Sequence, residues 1–401
     1  MRILVVYPYI PFPVDRGTYQ RTFHLLRALA RDHEVDLLAL SENGERMDQK
    51  EVFAGFCRRV EFVPFAHPPW PRLFPDRLLN PLPTTVRHWR VAGIGEAIRA
   101  FAAGQRYSLA HVCDIVMAQY FLDDTGGLPL AVDRSRVDLQ FQLAQREAMS
   151  RGVRQAVLDW ENLVKLRRFE RRVARRAALE VVCGPDDESF IRERISRDVA
   201  VEVVTNGVDL DYFAPGSAPE PRAAAPTVLF CGAMDYTPNV DALRWFFGGI
   251  HEPLRQLVPD LRVLIVGKSP VAEVQACAQR PGVTVTGSVP DVRPYYRSAW
   301  MQIVPLRIGG GTRLKIPESM AMGTAVVSTT IGAQGLGLRH GEDVLLADTP
   351  GDFARETARA LQDPALRSRL EQEGMRTVHA RLSWPGLGRK LSDCYAKRFK
   401  A

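Results

Sequence analysis

Thirteen short apolar runs alternate with longer helical patterns along this chain, and that alternation constrains the fold more than any single motif does. The first series is RILVVYP (2–8), EVDLLAL (34–40), RVEFVPF (59–65), SLAHVC (108–113), PLAVD (129–133), LEVVC (179–183) and VEVVT (201–205). The second is TVLFC (227–231), LRVLIVG (261–267), GVTVTG (282–287), WMQIVP (300–305), TAVVST (324–329) and DVLLA (343–347). Most are continuously apolar rather than alternating, which is how strands buried on both faces of a parallel sheet read. With helical patterns between nearly all of them, the repeating unit is βαβ and the fold class is α/β, doubly wound.

The two series are separated by APGSAPEPRAAAPT (214–227), rich in Ala and Pro and without hydrophobic periodicity, which reads as a linker. A chain of 401 residues is long enough for two or three domains, and this linker predicts a first domain over 1–213 and a second over 228–385. Ligands of doubly wound sheets bind at the carboxyl ends of the strands, so two such domains facing each other would enclose a cleft. Three stretches stand outside the rhythm. AHPPWPRLFPDRLLNPLPTT (66–85) carries six prolines and predicts an irregular excursion. Residues 141–177 predict one long helix with a basic end, KLRRFERRVARR (165–176). LSWPGLGRKLSDCYAKRF (382–399) reads as a break followed by a terminal helix.

Composition excludes several classes. At 46% apolar and 25% charged residues, the chain has ample material for large cores and is not a disordered protein. No stretch approaches the roughly 18 apolar residues of a membrane span. The N-terminal MRILVVYPYIPFPVD has too short an apolar run for a signal peptide, so the fold is expected to begin at Met1 and the protein to be cytoplasmic. Six scattered cysteines with no CxxC or Cys/His cluster argue against a zinc site or a disulfide framework, and no metal is expected. The net charge is +7, of which +1 falls in residues 1–212 and +6 in 213–401. Such a balance suits a polyanionic ligand, an acidic membrane surface or nucleic acid without choosing among them.

The first βα turn ends at Gly17, followed by a helix carrying Arg21 and His24. A glycine there admits a ligand to the helix N-terminus, though shaping a turn explains it equally well. No GxGxxG is present, so the dinucleotide fingerprint is absent. The most informative segment is PLRIGGGTRLKIPESMAMG (305–323). Gly309, Gly310 and Gly311 expose successive N–H groups, Thr312 is a candidate N-cap, and Arg313 and Lys315 add positive charge, a combination suited to a pyrophosphate. Glu318 lies on the same helix, where a carboxylate can accept from two ribose hydroxyls. In CGAMDYTPNVDAL (231–243), Gly232 sits where backbone must approach a ligand. In VTGSVPDVRPYY (285–296), the loop around Val289 could hold a base by backbone contacts.

Taken over its whole length, the chain resembles the GT-B-fold, group 1 glycosyltransferases of family four. The resemblance rests on the first βα turn, on NGVDLDYF (206–213), TGSVPDVRPYY and ESMAMGTAVVST, and on the closing LSW before the last helix. More narrowly, CGAMDYTPNVDAL and PLRIGGGTRLKIPESMAMG look like transferases found beside bacterial exosortase and exopolysaccharide systems. The resemblance implies two Rossmann-like domains, the second binding a nucleotide diphosphate sugar and the first a glycan or lipid-linked acceptor. It also implies a terminal helix, 386–401, packed back on the first domain. Transfer would be of the retaining hexosyltransferase type without a cofactor, protein cations stabilising the leaving diphosphate. Donor contacts would come from Gly17, Gly232, Val289, Gly309 to Thr312, Arg313, Lys315 and Glu318, the last three also serving catalysis. Arg21, His24 and Asp138 would lie on the acceptor side.

The sequence departs from the family in three places. The first Glu of the Glu-x7-Glu pair falls at Gly310, and the usual Arg and Lys after the first strand of the second domain are missing, leaving Arg313 and Lys315 as substitutes. The strand that often ends in a catalytic-site His ends here PLAVDRSRVD, which makes Asp133 or Asp138 the polar group at that edge and Asp133 a catalytic candidate. Two other readings share the fold: a nucleotide-sugar 2-epimerase, and a non-catalytic adaptor at the membrane. The basic helix over 165–176 further suggests peripheral attachment to an anionic inner-membrane leaflet. Nucleic acid is not expected, because only Phe169 interrupts that run.

Overall fold

The computed structural model describes residues 1–14, 17–67, 80–123, 127–148, 152–216, 222–308 and 313–399. The chain divides into two compact units, one of Met1–Thr205 with Leu387–Ala401 and one of Asn206–Gly386.

The first unit holds a seven-stranded sheet of order β3-β2-β1-β4-β5-β6-β7. Its strands are β1 (Arg2–Tyr7), β2 (Glu34–Glu42), β3 (Arg59–Phe65), β4 (Leu109–Cys113), β5 (Leu130–Asp133), β6 (Leu179–Val182) and β7 (Val201–Val203). The second unit holds six strands in the order β10-β9-β8-β11-β12-β13. These are β8 (Thr227–Cys231), β9 (Arg262–Val266), β10 (Val283–Val285), β11 (Met301–Val304), β12 (Ala325–Ser328) and β13 (Leu345–Leu346). Every pairing is parallel, from Ile3 opposite Val35 in the first sheet to Val304 opposite Ser328 in the second. Each of the thirteen apolar runs supplies one strand. Helices on both faces explain the absence of alternation: in β8, Val228, Leu229 and Phe230 are all fully buried. Each such side chain contributes about 1.5–3 kcal/mol.

Strand order reverses direction between β1 and β4 in one sheet and between β8 and β11 in the other. Those are the points where a crevice opens at the carboxyl ends of parallel strands.

Three elements differ from the sequence reading. NGVDLDYF begins the second unit rather than closing the first, moving the boundary from 213 to 205. The Val208 N–H donates to the Leu382 carbonyl at 2.8 Å, and the Phe213 ring stands edge-on to Tyr296. The long helix over 141–177 is two helices, Asp138–Ala148 and Val153–Arg176, with Gly152 extended at the N-cap of the second (φ −62°, ψ 155°). The proline-rich excursion over 66–85 ends in the first two residues of a short helix, Thr84–His88, while its residues 68–79 lie outside the described ones.

From Leu387 onward, the helix Trp384–Arg398 belongs to the first unit. The Tyr395 hydroxyl meets His111 Nδ1 at 2.6 Å, and Lys390 Nζ donates to the Val203 carbonyl at 2.6 Å. Gly388 permits the contact with the helix Gly17–Asp32, since a Cβ there would fall 2.1 Å from Ala28 Cβ.

Candidate functional site

In the second unit, glycines follow three neighbouring strands at their carboxyl ends: Gly232 after β8, Gly267 after β9 and Gly287 after β10. Gly232 and Gly267 have φ of 156° and 154°, and a Cβ on Gly267 would sit 1.6 Å from the Gly232 carbonyl oxygen. The two turns therefore interlock backbone to backbone, which only glycine permits. The helix Thr237–Trp245 starts just beyond and brings in Asn239, 5% exposed. Its Nδ2 donates to the Ala233 carbonyl at 2.8 Å, and its Oδ1 accepts from Lys315 Nζ at 2.8 Å.

Lys315 opens the helix Lys315–Ala321, in the βα connection after β11. Its ammonium therefore spans the switch point between β8 and β11, lying 4.2 Å over the Phe230 ring. Burial is the main cause that lowers its pKa to about 8; Arg313 pulls the same way, against Cys231 and Glu318. Glu318 follows one turn on, its Oε2 accepting from the buried Tyr296 hydroxyl at 3.0 Å. Arg313 is buried, and Val289 is half-buried against the same core. The structure thus brings Gly232, Lys315 and Glu318 together. The helix begins later than the sequence reading placed it, with Leu314 at the N-cap position. Gly309, Gly310, Gly311 and Thr312 lie outside the described residues.

The mouth of the first sheet is built differently. Asp133 ends β5 and is fully buried, while Arg21, from the helix Gly17–Asp32, is 1% exposed. Arg21 Nε donates to both Asp133 oxygens at 3.1 and 3.2 Å, its Nη2 to Oδ1 at 2.5 Å, and its Nη1 to the Val204 carbonyl at 2.7 Å. This pair ties three segments of the unit together and turns no polar atom to solvent. The sequence reading gave Asp133 a catalytic place and Arg21 an acceptor-side one; the structure joins the two to one another inside the first unit. Asp138 pairs with Arg136 at 3.1 Å. His24 is half-buried with its ring edge-on to Phe23, and Gly17 is exposed at the start of its helix.

Asp114, immediately after β4, was not singled out by sequence reasoning. Its φ of 61° is unusual for a non-glycine residue, and it lies at the switch point of its sheet. One oxygen accepts from the Ser135 N–H at 3.3 Å and the Ser135 hydroxyl at 3.1 Å. Burial, and then the Asp138 carboxylate, push its pKa up to about 6. Across the switch point, the Tyr9 hydroxyl lies 3.5 Å from the Cys113 sulfur, and the Tyr9 ring packs on Tyr19 at 4.6 Å. The available signal was an acidic residue placed directly behind a continuously buried strand, HVCD. Among the described residues, no group of three or more His, Cys, Asp or Glu is arranged to hold a metal ion.

Residues 225–363 match the family model of the group 1 glycosyl transferases. An uncharacterised protein of the cps region of Klebsiella pneumoniae is 29% identical over 136 residues, 32% of this chain and 35% of that protein. A D-inositol 3-phosphate glycosyltransferase of Nocardiopsis dassonvillei is 26% identical over 55% of this chain and 56% of its own length. The chain thus spans about a third to a little over half of these curated relatives. Among solved structures, sucrose-phosphate synthase from Thermosynechococcus elongatus superposes with a TM-score of 0.74 at 20% identity, covering 100% of this chain and 99% of that one. HepE of Anabaena, solved with UDP and glucose, gives a TM-score of 0.67 at 15% identity, covering 99% and 100%. With two wholly parallel sheets of doubly wound order and neighbours that share the fold end to end, the chain has the GT-B fold, and its segment 225–363, which contains Gly232, Lys315 and Glu318, is similar to the group 1 glycosyl transferases.

Proposed function

We infer that the protein transfers a sugar from a nucleotide diphosphate sugar to a glycan or lipid-linked acceptor in exopolysaccharide or cell-envelope glycan synthesis. The transfer retains anomeric configuration and needs no metal. The observation that carries this reading is Lys315, held by Asn239 over the interlocked Gly232 turn at the switch point of the second sheet. A cation fixed there is suited to the diphosphate, because it is already oriented and partly desolvated before the donor arrives. Arg313 supplies a second charge beside it. As the glycosidic bond of the donor breaks, negative charge grows on the diphosphate, and these two groups stabilise it without a metal ion. Gly309 to Thr312 are assigned to the same phosphates. Glu318, oriented by Tyr296, accepts from the ribose hydroxyls, and the Val289 loop faces the base. On the acceptor side, Asp114 joins His24 and Asp138, the Asp138 carboxylate being close enough to help raise the Asp114 pKa.

The polysaccharide setting is supported by the cps-region relative, and the donor class by a fold neighbour solved with UDP and glucose. The test is incubation with a panel of radiolabelled UDP-, GDP- and ADP-sugars, with and without chelator. Product with the donor's anomeric configuration, unchanged by chelation, is expected. Interconversion of the donor would instead mean an epimerase, and binding without turnover an adaptor.

A further inference from the structure

The helix Val153–Arg176 is fixed in rotation by the face it buries. Leu163, Leu166, Phe169, Val173 and Ala174 are 0–8% exposed, and Glu170, at 0%, lies among them. Glu170 binds Arg134 Nη2 at 2.8 Å and accepts from the Leu139 N–H at 3.0 Å, which pins the helix to the unit at one angle. Recurrence at three and four residues then puts Val157, Trp160, Val164, Arg167, Arg168, Arg171 and Arg175 on the opposite stripe. Val157 is 53% and Trp160 59% exposed, and the four arginines are exposed as well.

The basic residues of the helix sort by this geometry. Those off the stripe are engaged: Lys165 with Glu161, Arg172 with Asp123, and Arg176 with the Leu128 carbonyl at 2.8 Å. Among the described residues, no ion pair or side-chain hydrogen bond engages Arg167, Arg168, Arg171 or Arg175. One end of the stripe is therefore apolar and carries a tryptophan, and the other is an uncompensated row of guanidiniums.

We propose that this stripe is a docking face for an anionic lipid bilayer, with Trp160 and Val157 entering the interfacial layer and Arg167, Arg168, Arg171 and Arg175 resting on lipid phosphates. The match lies in the pairing of chemistries. An anionic bilayer offers, side by side, a sheet of negative charge and a shallow apolar layer that favours tryptophan. Nucleic acid would match the arginines but not a lone exposed tryptophan at the far end of the stripe. No helix among the described residues is long and apolar enough to cross a membrane, so the attachment is peripheral and reversible.

The full chain is sedimented with phosphatidylcholine vesicles, with and without phosphatidylglycerol, across a sodium chloride series. Binding should require phosphatidylglycerol and weaken as salt rises. Replacing Arg167, Arg168, Arg171 and Arg175 by Gln should lower partitioning by roughly two to three orders of magnitude, while Arg172→Gln with Arg176→Gln should leave most of it. Vesicles with brominated acyl chains should quench tryptophan fluorescence in the native chain, and Trp160→Phe should remove that quenching. All variants should keep the native affinity for nucleoside diphosphate, which separates this proposal from the transferase reading. No sedimentation with phosphatidylglycerol at low salt, equal binding to neutral vesicles, equal losses on and off the stripe, or quenching that survives Trp160→Phe would each overturn the docking face. So would an RNA oligonucleotide that binds the stripe while acidic vesicles do not.

Discussion

The two sheets of this protein open at equivalent switch points, yet they use charged side chains in opposite ways. In the first unit, Arg21 and Asp133 neutralise one another in the interior. In the second, Lys315 is tethered by a neutral amide, so its charge stays available while its position is fixed. A paired charge joins segments, whereas a charge held by a neutral partner is the one proposed to meet a ligand. Charged residues that sequence alone would group together at the two switch points thus differ in what partners them.

The largest effect expected from breaking this contrast is at the cross-link. Arg21→Ala leaves the Asp133 carboxylate buried without its counter-charge and should cost about 3–5 kcal/mol of stability. Replacing the pair together by Met and Leu should recover much of that loss. Urea unfolding followed by circular dichroism measures both, and a single variant as stable as the native chain would dissolve the distinction.

Lys315→Ala should behave in the opposite manner, with little change in unfolding but a loss of about 1.5–3 kcal/mol in nucleoside diphosphate affinity. Because its pKa is lowered to about 8, the native affinity should decline as pH rises through 8 and the ammonium loses its proton. Lys315→Arg should flatten that decline. Calorimetric titrations at several pH values read both effects.

Asp114→Asn should sharpen the comparison inside the first unit. A carboxyl whose pKa is raised to about 6 by folding is held best when protonated. Its contribution to stability is complete below its ordinary pKa, near 4, and is lost as pH rises through 6. At pH 7 to 8 the Asn variant should therefore be more stable than the native protein, by about 1–2 kcal/mol, while turning over sugar more slowly. A variant that loses stability would return Asp114 to the structural class. The smallest effect is at Glu318: Glu318→Gln should weaken binding of ribonucleotides by about 1 kcal/mol more than binding of 2′-deoxy analogues, as competition assays would reveal.

The strands were legible because a parallel sheet covered on both faces demands unbroken apolar runs, a pattern no helix surface or exposed loop imitates. That Gly232, Lys315 and Glu318 come together was legible because glycine, charge and a helix follow the ends of neighbouring strands in quick succession. The break at Gly152 was not, since the apolar periodicity on either side reads as one continuous helix. The boundary at Asn206 was not legible either: its cause is the contact of Val208 with Leu382 and Ser383, far away in sequence.

By itself, the sequence determined which segments become strands, that they pair in parallel and that they form two sheets, because burial on both faces is written residue by residue. Which charges meet was decided only by the tertiary structure. Arg21 and Asp133 are 112 positions apart, and Lys315 and Asn239 are 76 apart. Asp114 carries no mark in its neighbours of the backbone angle it adopts. A side chain's charge is fixed by its composition, but whether that charge is cancelled, held ready or left exposed depends on what the folded chain sets beside it.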